Sequence, residues 1–152
     1  MTAASLKEIA LKRVYEPAST GDGTRVLVDR LWPRGLGKDR AEVHAWLKAL
    51  APSHQLRRWF HARSDQWLTF RKLYLKELRQ PETAQALNEL YRLAGGRSKL
   101  TLLFASRDEQ HNNAVILKDL LEGMRKPPTG TGPGAIRAMR ERQAKRMPNS
   151  SR

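Results

Sequence analysis

Two short polar runs carry the side chains best suited to chemistry. The first holds Asp29, Arg30, Trp32 and Arg34 within Val26-Leu27-Val28-Asp29-Arg30-Leu31-Trp32-Pro33-Arg34-Gly35, where an apolar stretch passes straight into a charged turn. The second holds Arg107, Asp108, His111 and Asn112, just beyond Leu100-Thr101-Leu102-Leu103-Phe104-Ala105. The guanidinium groups of Arg30 and Arg34 are planar forks that match phosphate or carboxylate, and a helix opening near Ser106 to Glu109 would add unpaired backbone N–H groups for the same anion. Asp108, His111 and Asn112 set an acid, a base and an amide where they could converge. These eight residues form the candidate substrate-binding set, with no catalytic residue assigned. A competing reading carries equal weight: Asp29 pairs with Arg30, Arg107 or another neighbour to tie strand ends together, and Trp32 packs as core.

Other chemistries find less support. Asp29, Asp108 and His111 are hard or borderline donors, but no HExxH or paired ligand spacing accompanies them, so no metal site is assigned. Ser106 lacks a G-x-S-x-G elbow, and a capping role accounts for it. With no cysteine anywhere, disulfides, thiolate metal sites and cysteine nucleophiles are excluded. No motif names a cofactor, so the cofactor is unknown.

The elements that must position these runs follow from periodicity. Ile9 to Tyr15 and Arg25 to Leu31 read as strands, joined by a turn-rich loop from Glu16 to Thr24 that serves as a hairpin or as a crossing connection. From Asp39, the spacing of Val43, Trp46, Leu47 and Leu50 predicts a helix ending at Pro52. Ser53 caps a brief helix carrying Leu56, Trp59 and Phe60. Ser64 opens a longer one carrying Trp67, Phe70, Tyr74 and Leu78, and Pro81 begins a third that Gly95-Gly96 ends. Leu100 to Ala105 is a strand covered on both faces. Ser106 with Glu109 has the form of a capping box, with Asp108 as rival cap, for a last helix reaching Gly123. Strands separated by helices indicate an α/β fold: one small layered domain, residues 8–123, with a short, mostly parallel sheet flanked by helices. Such sheets bind ligands beyond the carboxyl ends of their strands, which is where both polar runs fall.

The chain has 152 residues, one domain's worth, and a formal net charge of +14. Half of that excess lies in residues 124–152, where eight Lys/Arg face one Glu among Pro127-Pro128-Thr129-Gly130-Thr131-Gly132-Pro133-Gly134 and a polar run, so a disordered basic tail is expected. Leu56-Arg57-Arg58-Trp59-Phe60-His61 interleaves bases with aromatics as stacking surfaces for nucleic acid do, although core spacing of Leu56, Trp59 and Phe60 is the stronger account. No apolar run of about 20 residues is present, and Met1 to Lys7 lacks the apolar core of a secretion signal, so a cytoplasmic protein with no membrane partner is expected.

Taken together, Lys12-Arg13-Val14-Tyr15, the VDRLWPRG string at 28–35, Trp46-Leu47-Lys48, Ala51-Pro52-Ser53, Leu56 to Phe60, Phe70 to Tyr74, Glu77-Leu78, Thr101 to Ala105 and His111-Asn112-Asn113-Ala114 resemble the bacterial YeaO-like proteins of the domain of unknown function 488 family. The resemblance covers roughly residues 8 to 122 and implies a shared fold, with no catalytic residues to carry over. Where relatives have His-Asp-Pro before the tryptophan of the long helix, this chain has His61-Ala62-Arg63-Ser64-Asp65-Gln66.

Two functions are therefore expected to compete. One is an anion pocket for a phosphorylated small molecule or nucleotide, with turnover left open. The other is a nucleic-acid-binding or regulatory accessory role for the basic face and tail. The first requires the two polar runs to meet at one rim of the sheet, and Arg34 and His111 on opposite edges would remove it.

Overall fold

The computed structural model describes residues 8–96 and 99–125, and the expected basic tail lies almost wholly outside them. Four strands, β1 (Ile9–Arg13), β2 (Thr24–Leu27), β3 (Ala45–Trp46) and β4 (Leu100–Phe104), form one sheet in the order β1-β4-β2-β3. Every pairing is parallel, so all four carboxyl ends lie along one edge. The central strand β4 is buried along its whole length, as a strand covered on both faces must be. Because β4 separates β1 from β2, the 16–24 segment is a crossing connection and not a hairpin.

The two faces are covered differently. Val26, Val28, Leu100, Leu102 and Phe104 meet α2 (His54–Ala62), α3 (Trp67–Glu77), α4 (Pro81–Ala94) and α5 (Asn113–Arg125) in the main core. Leu27, Leu103 and Val14 face the other way, where Trp32, Leu36, Val43 and Trp46 form a second, smaller cluster. Each such aliphatic side chain, once fully buried, contributes about 1.5–3 kcal/mol, and pleat alternation sends successive residues of β2 and β4 into opposite layers.

Several expected elements take another form. The helix read from Asp39 to Leu50 does not exist: α1 is a single turn, Lys38–Ala41, followed by β3 and a 3-10 turn at Lys48–Leu50. Glu42 adopts a left-handed conformation (φ 47°) that stops α1. Arg25 then takes the Ala41 and Glu42 carbonyls that a longer helix would need, through Nε (3.2 and 3.0 Å) and Nη2 to Ala41 (2.7 Å). The next amides turn to β2, with His44 N–H donating to Arg25 O and Leu47 N–H to Leu27 O. Val43 and Trp46 serve one layer while Leu47 and Leu50 serve the other, so helical spacing arose here from a strand that crosses between layers.

Boundaries shift elsewhere for local reasons. The second strand ends at Leu27, with Val28 N–H still bonded to Leu103 O, and Leu31 is 63% exposed. The last helix starts at Asn113, where Asn112 Oδ1 accepts the Val115 N–H and supplies the cap expected of Ser106 or Asp108. It runs past Gly123 to Arg125. The long helix starts at Trp67, three residues after Ser64. Ser53 does cap α2, accepting from Leu56 N–H, and Pro81 does open α4.

The amino end of the sheet is closed by a buried charge cluster. Asp22 accepts from Arg25 Nη1 (2.6 Å), from Lys12 Nζ and from Ser19, while Thr101 Oγ1 donates to the Asp22 carbonyl. Burial pushes the Asp22 carboxyl up, but the bonds from Lys12, Ser19 and Arg25 outweigh it and hold it far below the ordinary range. A folded-state pKa depressed in this way gives stability that is complete above the unfolded value and is lost as pH falls below about 4. Gly23 joins this cluster to β2 at φ 66°, and a Cβ there would lie 2.1 Å from Lys99 O. Gly23→Ala should therefore destabilise the fold by more than about 2 kcal/mol in urea titration, and an unchanged midpoint would mean that the backbone at Lys99 yields easily.

Candidate functional site

Of the four strand ends at the carboxyl edge, three carry the polar loops: Arg13 to Tyr15 at the end of β1, Val28 to Leu36 after β2, and Ala105 to Asn112 after β4. The loops after β2 and β4 are joined by Asp29, whose Oδ2 accepts the Ala105 N–H at 2.8 Å. Asp29 thus ties strand ends together through backbone, with neither Arg30 nor Arg107 as its partner. Its environment is polar and half-buried. Burial raises its carboxyl above the usual aspartate value, against the Ala105 N–H, Asn113 and the charge of Arg57 on α2. Asn113 Nδ2 donates to Val28 O, and buried Tyr74 donates to Leu50 O at 2.6 Å, its hydroxyl held protonated by burial and by the charges of Asp29 and Glu77.

Three more of the eight candidate residues are engaged, like Asp29, in holding the loops. The Arg30 guanidinium reaches the carbonyls of Ala51 (3.3 Å) and Pro52 (3.4 Å). Trp32 donates from Nε1 to Leu36 O at 2.7 Å and meets Trp46 edge-on, while Trp46 Nε1 donates to Asp29 O. Asn112 caps α5 with its Oδ1 and donates from Nδ2 to Asp108 O.

Arg34 and Arg107 differ. Both side chains are exposed, and neither has a hydrogen-bond or ion-pair partner among the described residues. One chain of contacts draws their backbones together. Arg13 donates from Nε to Ser106 O and from Nη2 to Ala105 O, both at 2.9 Å, and its guanidinium lies 5.2 Å over the Tyr15 ring. The Tyr15 hydroxyl in turn donates to Arg34 O at 3.0 Å. Arg13 and Tyr15 were missed in the sequence, although the carboxyl-end rule that selected the other two loops applies equally to the end of β1.

Asp108 and His111 form a separate corner. Asp108 Oδ2 lies 3.1 Å from His111 Nδ1, and Asp108 Oδ1 accepts the N–H groups of Gln110 and His111. Slight burial works against the Asp108 carboxylate, but these amides and the imidazole hold it below its ordinary value. Ser106 Oγ accepts from Asp108 N–H and faces Asp108 O, so it is taken up by its own turn. His111 packs edge-on against Trp67, which stacks with Phe70 and meets Phe60 at a tilt on the helical face of the sheet. Trp32 packs in the cluster on the other face. The two runs share one edge, and among the described residues no bond joins Arg34 to His111. Nor do these residues contain a group of three or more potential metal ligands.

A protein-family model described as the inactive DUF488-N3 subclade matches residues 8–130. The uncharacterized protein YeaO of Escherichia coli is 43% identical over 118 residues, covering 76% of this chain and 98% of that protein. Uncharacterized proteins of Mycobacterium bovis and Mycobacterium tuberculosis are 41% identical over 115 residues, 76% of this chain and 94% of theirs. No solved structure matches significantly. Among the described residues, no helix is long and apolar enough to cross a membrane.

The Asp29 geometry carries a testable sign. Asp29→Asn keeps an oxygen for the Ala105 N–H and removes a charge that burial disfavours, so urea midpoints at pH 7 should equal or exceed wild type, with the gain vanishing as pH falls and Asp29 itself takes up a proton. Asp29→Ala leaves that N–H unpaired and should cost about 1–3 kcal/mol at either pH. An asparagine variant as weak as the alanine one would show that the carboxylate charge itself holds the loops.

Proposed function

The chain belongs to the DUF488 family, within the subclade described as inactive DUF488-N3, and from that premise we propose that it binds a phosphate-bearing small molecule or nucleotide at the carboxyl edge of its sheet without turning it over. The observation that carries this reading is the Arg13–Tyr15 bridge, which brings the loops of Arg34 and Arg107 to one corner while leaving both guanidinium groups free. A free planar fork at an exposed strand end is suited to bidentate contact with an anion, and it carries no structural duty that ligand binding would disturb. Asp29 holds the two loops, Arg30 and Asn112 fix their flanks, and Trp32 anchors the first loop to Trp46. Binding without reaction agrees with the subclade's description and with the local chemistry. Asp108 orients the His111 imidazole as a general base would be oriented, but the nearby Ser106 hydroxyl is committed to the Asp108 backbone.

The test separates ligand contacts from fold. Wild-type protein should gain thermal stability with inorganic phosphate, pyrophosphate or ADP, by about 2.7 kcal/mol at a hundredfold excess over Kd. Arg34→Gln with Arg107→Gln should melt as wild type without ligand and bind at least about tenfold more weakly, the expected loss of a charge-assisted hydrogen bond. No stabilisation by any of the three probes, or an undiminished shift in the double variant, would end this reading.

A further inference from the structure

The helix α2 presents a second basic surface that does not depend on the strand-end site. Its apolar residues, Leu56 and Phe60, turn into the core, whereas His54, Arg57, Arg58 and His61 are exposed. At 100° per residue, these four fall on one stripe about 10 Å long, and α2 contains no acidic residue to neutralise it. The Glu77 carboxylate of α3 is occupied by the Ser53 N–H (2.8 Å) and Oγ (2.6 Å). Asp29 is felt by Arg57, while Arg58 has no bonded partner among the described residues.

Two shallow hollows flank Arg58. One, of about 500 Å³, is lined by His54, Gln55, Arg58 and Trp59, and the other, of about 230 Å³, by Arg57, Arg58 and His61. Trp59 is half-buried: it packs against the main core yet still lines the larger hollow, with Arg63 5.4 Å from its ring. We infer that this face of α2 is a docking surface for single-stranded nucleic acid, Arg58 holding a backbone phosphate between two bases that rest in the hollows, one of them against Trp59.

The chemistry favours that occupant over other anions. An indole and two imidazoles beside free guanidinium groups match an unpaired base attached to a phosphate, since every base offers a π-face. Carboxylates of an acidic peptide have none to stack. A duplex hides its bases from such hollows, and a membrane surface would need a large apolar side chain exposed on the helix, where α2 shows only its basic stripe.

The experiment uses the full chain and a fluorescein-labelled twelve-nucleotide oligouridine, with binding followed by anisotropy and tryptophan emission. Arg58→Gln should weaken binding about fivefold to tenfold at low salt and reduce the salt slope by about 0.7, the value for one phosphate of a single strand. Lys38→Gln with Arg40→Gln on α1 removes more charge than Arg58→Gln and should cost less. Trp59→Phe keeps the packing but should abolish the emission quench that oligouridine produces. The inference is overturned by failure of the oligonucleotide to bind, by an equal loss in the α1 variant, by an unaltered quench in Trp59→Phe, or by a polyglutamate peptide binding as tightly.

Discussion

The buried guanidinium of Arg25 is the constraint on which the architecture rests. Only 2% exposed, it is paired with Asp22 on one side and closes the end of α1 on the other through the Ala41 and Glu42 carbonyls. A cation placed at a helix C-terminus meets the negative end of its dipole and its unsatisfied carbonyls together. Removing one partner of such a buried pair costs about 3–5 kcal/mol, because the other charge is left without compensation. With Glu42 turned left-handed at the end of α1, this side chain takes the carbonyls left there, and the chain returns as β3 to pair with β2, whose other parallel neighbour is β4.

That arrangement divides the molecule's cations by what they do. At the amino end, Lys12 and Arg25 are committed to Asp22. At the carboxyl end, Arg13 and Arg30 hold carbonyls of neighbouring loops. Arg34, Arg58 and Arg107 are exposed and without bonded partners among the described residues, as are Lys38, Arg40, Arg57 and Arg79. A formal charge of +14 says little about partners until this division is made, since a guanidinium already satisfied by carbonyls has fewer donors to offer a ligand. The two proposed anion-binding surfaces draw on some of these unspent donors, those that stand beside a strand end or an aromatic ring.

The sequence made the layered parallel sheet legible, because continuous apolar runs such as Leu100 to Ala105 mark strands covered on both faces. Ser53 and Pro81 were equally readable, since capping chemistry is local. The 39–50 segment was not. Its Val43, Trp46, Leu47 and Leu50 satisfy helical spacing, and what overrides it is a contact with Arg25, fourteen or more residues earlier in the chain. The candidate site shows the same limit. Strand-end position selected Arg34 and Arg107 correctly as edge residues, but the roles of Arg30 and Asn112 in holding the loops depend on which carbonyls and amides fold beside them. Asp29 is intermediate, recognisable as a tie but bonded to the Ala105 amide and not to an arginine.

The position of Asp108 and His111 bears on why a fold able to support catalysis need not perform it. A carboxylate fixed by two amides and aligned on Nδ1 is the arrangement that sets an imidazole for proton transfer. Proton transfer, however, needs an acceptor group and an electrophile at the same point, and the His111 ring is packed edge-on against Trp67 with no bond to Arg34 among the described residues. The Asp29–Ala105 tie joins the loops after β2 and β4, and the Ser106 hydroxyl beside the Asp108–His111 pair is spent on the Asp108 backbone, so the polar groups of this edge that are fixed by bonds serve its shape.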